Sequence, residues 1–187
     1  MTTKMTKAAL AASLKKLLEK KPLSKITVTD ITRECRINRH TFYYHFRDIY
    51  DLIEWIYVSE AEQYIIGGEI PDTWQEGLRR LFQFILDNRK FVVETYMFFQ
   101  QDHLLQFVHK HAALLVSHIV ERKKTGFAIS QEKERFAIDF YAYALEGIVY
   151  SWVKNGMKQD PEEIIQMLSA MIQGMGEITL QHLAEMQ

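Results

Sequence analysis

Between Ile26 and Asp51 the chain concentrates side chains that can hydrogen-bond or carry charge: Thr27, Thr29, Arg36, Arg39, His40, Thr41, Tyr43, Tyr44, His45 and Arg47. At about 100° per helical residue, Phe42, Phe46 and Ile49 share one face, His40 and Tyr44 point the opposite way, and Thr41 and Tyr43 flank them. A short helix of this kind offers guanidinium, imidazole, hydroxyl and phenol groups to a polar partner. Arginine can bond a guanine edge in bidentate fashion, and hydroxyls, phenols and backbone N–H groups at a helix N-terminus suit phosphate oxygens. The plain alternatives are an exposed polar helix face and, for Thr27 and Thr29, simple capping. The surrounding elements decide between the readings.

Other chemistries find less support. His103, His109, His111 and His118 are potential metal ligands, but His111 and His118 align only after two helical turns and no HExxH-type pair accompanies them. Neither a metal nor a cofactor is expected. Cys35 falls on a stripe with Val28 and Ile31 and reads as a small core residue. As the single cysteine it excludes an intramolecular disulfide and a multi-cysteine zinc site. Without a glycine-rich phosphate loop or a nucleophile elbow, the chain is not read as an enzyme.

The elements that would position the polar helix are legible. Leu10, Leu14, Leu17 and Leu18 recur at helical spacing, so a first helix runs to Lys20 or Lys21, where Pro22 stops it. Thr27-Val28-Thr29-Asp30 has the form of a capping box and opens a second, short helix. After a break at Arg36 and Ile37, Asn38 can cap the third. Two short helices joined by so tight a turn, the second presenting hydrogen-bonding groups, describe a helix-turn-helix. Asp48 then caps a long helix to Ile66, closed by Gly67, Gly68 and Pro71. Helices follow from Asp72 to Asp87, Arg89 to Phe99, Asp102 to Lys124, Ser130 to Asn155 and Asp160 to Glu185. The fold expected is all-α with about nine helices: a three-helix domain over residues 1–50 and a larger helical domain over 51–187.

Charge divides along the same line. The net charge of the 187 residues is -1, yet Met1 to Tyr50 holds 11 Lys+Arg against 4 Asp+Glu, a local +7, which leaves -8 on the remainder. A basic segment on a neutral protein suits a polyanion. No run reaches the ~20 apolar residues of a membrane helix and no apolar leader precedes a cleavage site, so a cytoplasmic protein is expected.

Thr27-Val28-Thr29-Asp30-Ile31 together with Asn38-Arg39-His40-Thr41-Phe42-Tyr43-Tyr44-His45-Phe46 resembles the DNA-binding segment of the TetR/AcrR family of bacterial transcriptional regulators. The runs Asn38 to Tyr57 and Tyr150 to Gly156 look like the branch that includes dihydroxyacetone-kinase regulators. The resemblance implies an N-terminal DNA-binding domain, a larger domain that often binds a small effector, and a homodimer built on the last two helices. In that branch a partner protein can stand in for the effector. It also implies base contacts from Arg39, His40 and Thr41, and backbone anchoring by Tyr43, Tyr44 and His45. Two residues depart from the family pattern. Arg36 occupies the turn where glycine is usual, at a cost of about 1 kcal/mol if φ is positive. Ile49 stands where a phosphate-binding lysine is common, which makes Arg36 and Arg47 the candidates for that contact. These departures motivate the rival reading, a helical ligand-binding protein whose DNA-binding unit is degenerate.

In the larger domain, Trp55, Tyr64, Trp74, Phe82, Phe98, Phe99, Phe107 and Phe140 supply aromatic surface, and Trp55, Trp74, Phe98, Phe107 and Phe140 are taken as candidates to line an effector pocket. The last two predicted helices are apolar on more than one face. Tyr143, Trp152, Leu168, Met171 and Met175 are the interface candidates. The partners expected are thus a double-stranded DNA operator, a second copy of the chain, and a small-molecule effector or co-regulator protein.

Overall fold

The computed structural model describes residues 2–61, 73–96, 109–110, 112–114, 116–117, 120–121, 129–172 and 175–185, and all regular structure among them is helical. None of the described helices is long and apolar enough to cross a membrane. The chain divides into two compact units, Met1–Gln63 with Asp87–Leu104, and Tyr64–Leu86 with Leu105–Gln187.

In the first unit, α1 (Thr3–Leu18) is capped by the Thr2 hydroxyl and ends just short of Pro22, whose ring keeps the backbone extended. A 3-10 turn at Leu23–Lys25 leads to α2 (Val28–Glu34) and α3 (Arg39–His45), followed by α4 (Ile49–Ile56). Leu10, Leu14, Ile31, Phe42, Leu52, Ile53 and Ile56 are fully buried, joined by Phe46, so α1 and α4 form the support against which α2 and α3 rest. Burying a phenylalanine such as Phe42 contributes about 1.5–3 kcal/mol and fixes which face of α3 turns outward. Cys35 is half-buried, with its thiol directed to the Ile31 carbonyl, rather than fully in the core.

The long helix expected from Asp48 is observed as α4 with a π turn at Tyr57–Ala61; residues 62–66 lie outside the described set. The π turn coincides with a buried hydrogen bond between the Tyr57 and Thr95 hydroxyls, 2.6 Å. Thr95 belongs to α6 (Arg89–Tyr96), which follows α5 (Trp74–Asp87). α6 docks on this unit through Glu94, which accepts from the Leu23 N–H at 3.1 Å, and the preceding Asn88 accepts from Lys15 at 2.8 Å.

In the second unit, α7 (Gln131–Lys154) is capped by Ser130 as expected, and Asp160 caps α8 (Pro161–Ile172). α9 (Met175–Glu185) lies beyond residues 173–174, which are outside the described set. Phe82 of α5 meets the Trp152 ring edge-on at 4.7 Å, within a core that includes Leu78, Ala142, Val149, Ile164 and Ile165. Arg79 joins α5 to α8 by two 3.1 Å bonds to Glu162 and keeps a 2.8 Å bond to Glu76.

Candidate nucleic-acid interface

The start of α2 is held by a complete capping box: the Asp30 N–H donates to the Thr27 hydroxyl (3.2 Å) and the Thr27 N–H to the Asp30 carboxylate (2.9 Å). Lys21 donates to the same carboxylate at 2.9 Å, and the Thr27 hydroxyl at 2.7 Å. Lys21, then Thr27, hold the Asp30 carboxyl well below the usual carboxylate range. The Thr27 hydroxyl thus commits its proton to Asp30, and only opening that bond would free it for a phosphate. Thr29 is half-buried on the first turn.

The helix-helix turn is a Schellman motif. The Ile37 N–H reaches the Thr32 carbonyl at 2.9 Å, the Arg36 N–H reaches the Arg33 carbonyl at 3.2 Å, and Arg36 sits at φ 55°. The arginine therefore occupies the left-handed position that the sequence places in conflict with its side chain. Among the described residues, Met157 is the other non-glycine residue at positive φ; it follows Gly156, which closes α7 by the same pair of bonds.

Asn38 caps α3 by accepting from the His40 N–H at 2.9 Å. With Phe42 inward, Arg39, His40, Tyr43 and Tyr44 are exposed, Tyr44 at 83%, while Thr41 and His45 are half-buried. Arg47 is exposed beside Asp51 (3.8 Å), and Asp51 also accepts the Arg47 N–H. Ile49 is half-buried at the start of α4, as its apolar character dictates. The surplus positive charge is unevenly placed. Lys15, Lys16 and Lys21 pair with Glu60, Glu34 and Asp30, and Lys16 lowers the Glu34 pKa. Arg36, Arg39 and Arg47, around α3, remain exposed to an approaching polyanion.

Three of the pocket candidates fall among the described residues. Trp55 lies in the first unit, where its ring meets Phe46 at 6.0 Å, Trp74 lies in the second, and Phe140 is 60% exposed on α7. Phe98 and Phe107 lie outside the described residues, as do His103, His111 and His118. His109 stacks on Tyr143 at 4.3 Å and faces Asp139 and Glu146; burial pushes the Glu146 carboxyl up despite His109 beside it. Of the interface candidates, Tyr143 and Met171 are exposed, whereas Trp152 and Leu168 are buried within their own unit. Met175 begins α9 and its side chain is outside the described set. A surface groove of about 380 Å³ between α7 and α8 is lined by Trp152, Gln159, Met167, Leu168 and Met171 among others. It depends on how the Gly156 turn aims α8 against α7, so periodicity within either helix gave no signal of it.

A capped pair of short helices, a basic exposed face on the second and an apolar support behind it define a helix-turn-helix DNA-binding protein. Residues 10–56 match the family described as bacterial regulatory proteins, tetR family, and residues 72–174 match a transcriptional regulator C-terminal region of the same group. The chain belongs to the TetR family of bacterial transcriptional regulators. It is 23% identical over 175 residues, 90% of this chain and 91% of the relative, to the HTH-type dhaKLM operon transcriptional activator DhaS of Lactococcus lactis subsp. lactis (strain IL1403). A solved structure titled dihydroxyacetone kinase operon activator DhaS superposes with TM-score 0.74 at 20% identity, covering 94% of this chain and 98% of that one. A transcriptional regulator from Pseudomonas aeruginosa PAO1 superposes with TM-score 0.62 at 13% identity over 98% and 96%.

Proposed function

We propose that this regulator binds a pseudo-palindromic operator as a homodimer in the cytoplasm, one α3 entering each of two successive major grooves. Arg39, His40 and Thr41 read base edges, while Tyr43, Tyr44, His45, Arg36 and Arg47 hold the phosphate backbone. Readers of this type use the N-terminal residues of the second helix, and half-sites are then about 34–36 Å apart. A small effector or a co-regulator protein, acting on the second unit, would change affinity by favouring one spacing of the two DNA-binding units.

The observation that carries the dimer is the apolar surface left in water by the second unit. Phe136, Phe140 and Tyr143 of α7 are 60–67% exposed, Met167 and Met171 of α8 are 51% and 64% exposed, and Ile178 of α9 is 55% exposed. Phe136, Phe140 and Tyr143 fall at i, i+4 and i+7 on one face of α7, and large apolar side chains exposed side by side mark a protein contact. Tyr143 and Met171 fit this assignment, and Trp152 and Leu168 support the surface from within. Met171→Glu tests it: a glutamate there is harmless to the protomer and places an unpaired carboxylate in the dimer, at a cost of several kcal/mol. Sedimentation should show wild type as a dimer and the variant as a monomer that has lost tight operator binding. A wild-type monomer that binds operator tightly would refute the assignment.

A further inference from the structure

Arg39 and Tyr43 stand one turn apart on α3, and the arginine leans back over the phenol. Its Nη2 donates to the Tyr43 hydroxyl at 3.3 Å, and the guanidinium carbon lies 5.8 Å from the ring centroid. The Tyr43 ring is itself set edge-on against Phe42, centroids 5.5 Å apart at 83°, and Phe42 is fully buried. A chain of contacts therefore runs from the core, through Tyr43, to an arginine whose many rotamers would otherwise have to be ordered on binding.

The hydrogen-bond bookkeeping adds a second point. A phenol that accepts from a guanidinium uses a lone pair and keeps its own proton, and accepting a charge-assisted bond makes that proton a better donor. Tyr43 is half exposed, so the proton is available to a phosphate oxygen. Tyr44 offers the contrast: its ring meets His45 at 4.9 Å and 81°, and among the described residues no arginine lies across it.

We propose that Tyr43 is a positioning residue that couples backbone anchoring to base reading: its hydroxyl donates to a phosphate while its oxygen and ring orient Arg39 toward a guanine edge. The proposal rests on Arg39 reading a base, as proposed above, and the test separates the two. Full-length wild type, Arg39→Ala, Tyr43→Phe, Tyr44→Phe and the Arg39→Ala/Tyr43→Phe double variant are titrated against three duplexes. These are an operator recovered by selection from random-sequence DNA, operators altered at single base pairs, and random duplex of equal length. Tyr43→Phe keeps the ring on Phe42, so it should melt with wild type. It should weaken binding to every duplex by about 10-fold or more per half-site, as loss of a charged hydrogen bond does. It should also lower discrimination at the base pair sensitive to Arg39 by a further 3- to 10-fold or so, an effect absent in the double variant. Tyr44→Phe should weaken all duplexes alike. If Tyr43→Phe behaves as Tyr44→Phe does, with discrimination intact, the positioning role is overturned while base reading by Arg39 stands. If Arg39→Ala itself leaves discrimination unchanged, base reading fails and the coupling falls with it.

Discussion

Arg36→Gly should make the protein more stable and its grip on DNA weaker. Arg36 sits at φ 55° in the αL position of the turn between α2 and α3. An L-residue pays about 1–2 kcal/mol there because Cβ crowds the following carbonyl, and glycine does not. Against this gain, glycine enlarges the unfolded ensemble, at a cost of about 0.4–1 kcal/mol. The balance is a net stabilisation of about 0–1.6 kcal/mol, and for a chain of this length each 1 kcal/mol raises the melting temperature by about 2–4 °C. The exposed guanidinium is lost at the same time. If it meets a phosphate in each half-site, the log-log salt slope of a dimer should shrink by about two contacts at 0.9 each. Arg36→Ala separates the effects: it removes the charge but keeps a Cβ at positive φ, so DNA affinity should fall without the gain in stability. Thermal melts and salt titrations of the two variants are the assay. A glycine variant that melts below wild type refutes the strain argument, and one with an unchanged salt slope refutes the phosphate contact.

Two further predictions concern carboxyl groups. Asp30 has its pKa depressed in the fold by Lys21 and Thr27, so its contribution is full above the unfolded-state value near 3.9 and is lost as pH falls toward the folded one. Asp30→Asn should therefore destabilise at pH 7 and converge with wild type in strong acid, read by urea unfolding across pH. Glu146 is raised by burial, the opposite sign: the fold disfavours its charged form, and the penalty grows as pH rises above the unfolded value. Glu146→Gln should accordingly stabilise the protein at pH 8 and make little difference at pH 4; a variant equally affected at both would contradict the burial argument.

The DNA-binding unit was legible because its devices are local. Thr27 with Asp30, Asn38 with His40 and Asp48 with Asp51 act within two or three residues, and the structure forms each of these caps. The turn at Arg36 was readable for the same reason, since only a left-handed residue closes so short a link. What periodicity could not supply was anything set by packing between distant segments. Trp152 and Met171 are both apolar residues of the last helices, yet one is buried against Phe82 and the other is exposed. The groove between α7 and α8, the π turn opposite Thr95 and the bond from Lys21 to the Asp30 carboxylate likewise depend on partners brought together by the fold.

The central claim is that operator binding is electrostatic and delivered by two copies of α3 at once. Its most direct test is equilibrium binding of the full chain to its selected duplex, measured from 50 to 200 mM salt. A dimer that neutralises about 6–10 phosphates should lose about 10³- to 10⁵-fold in affinity over that range, on a site whose two half-sites repeat about one helical turn apart. A flat salt response, or tight binding to a duplex carrying a single half-site, would contradict it.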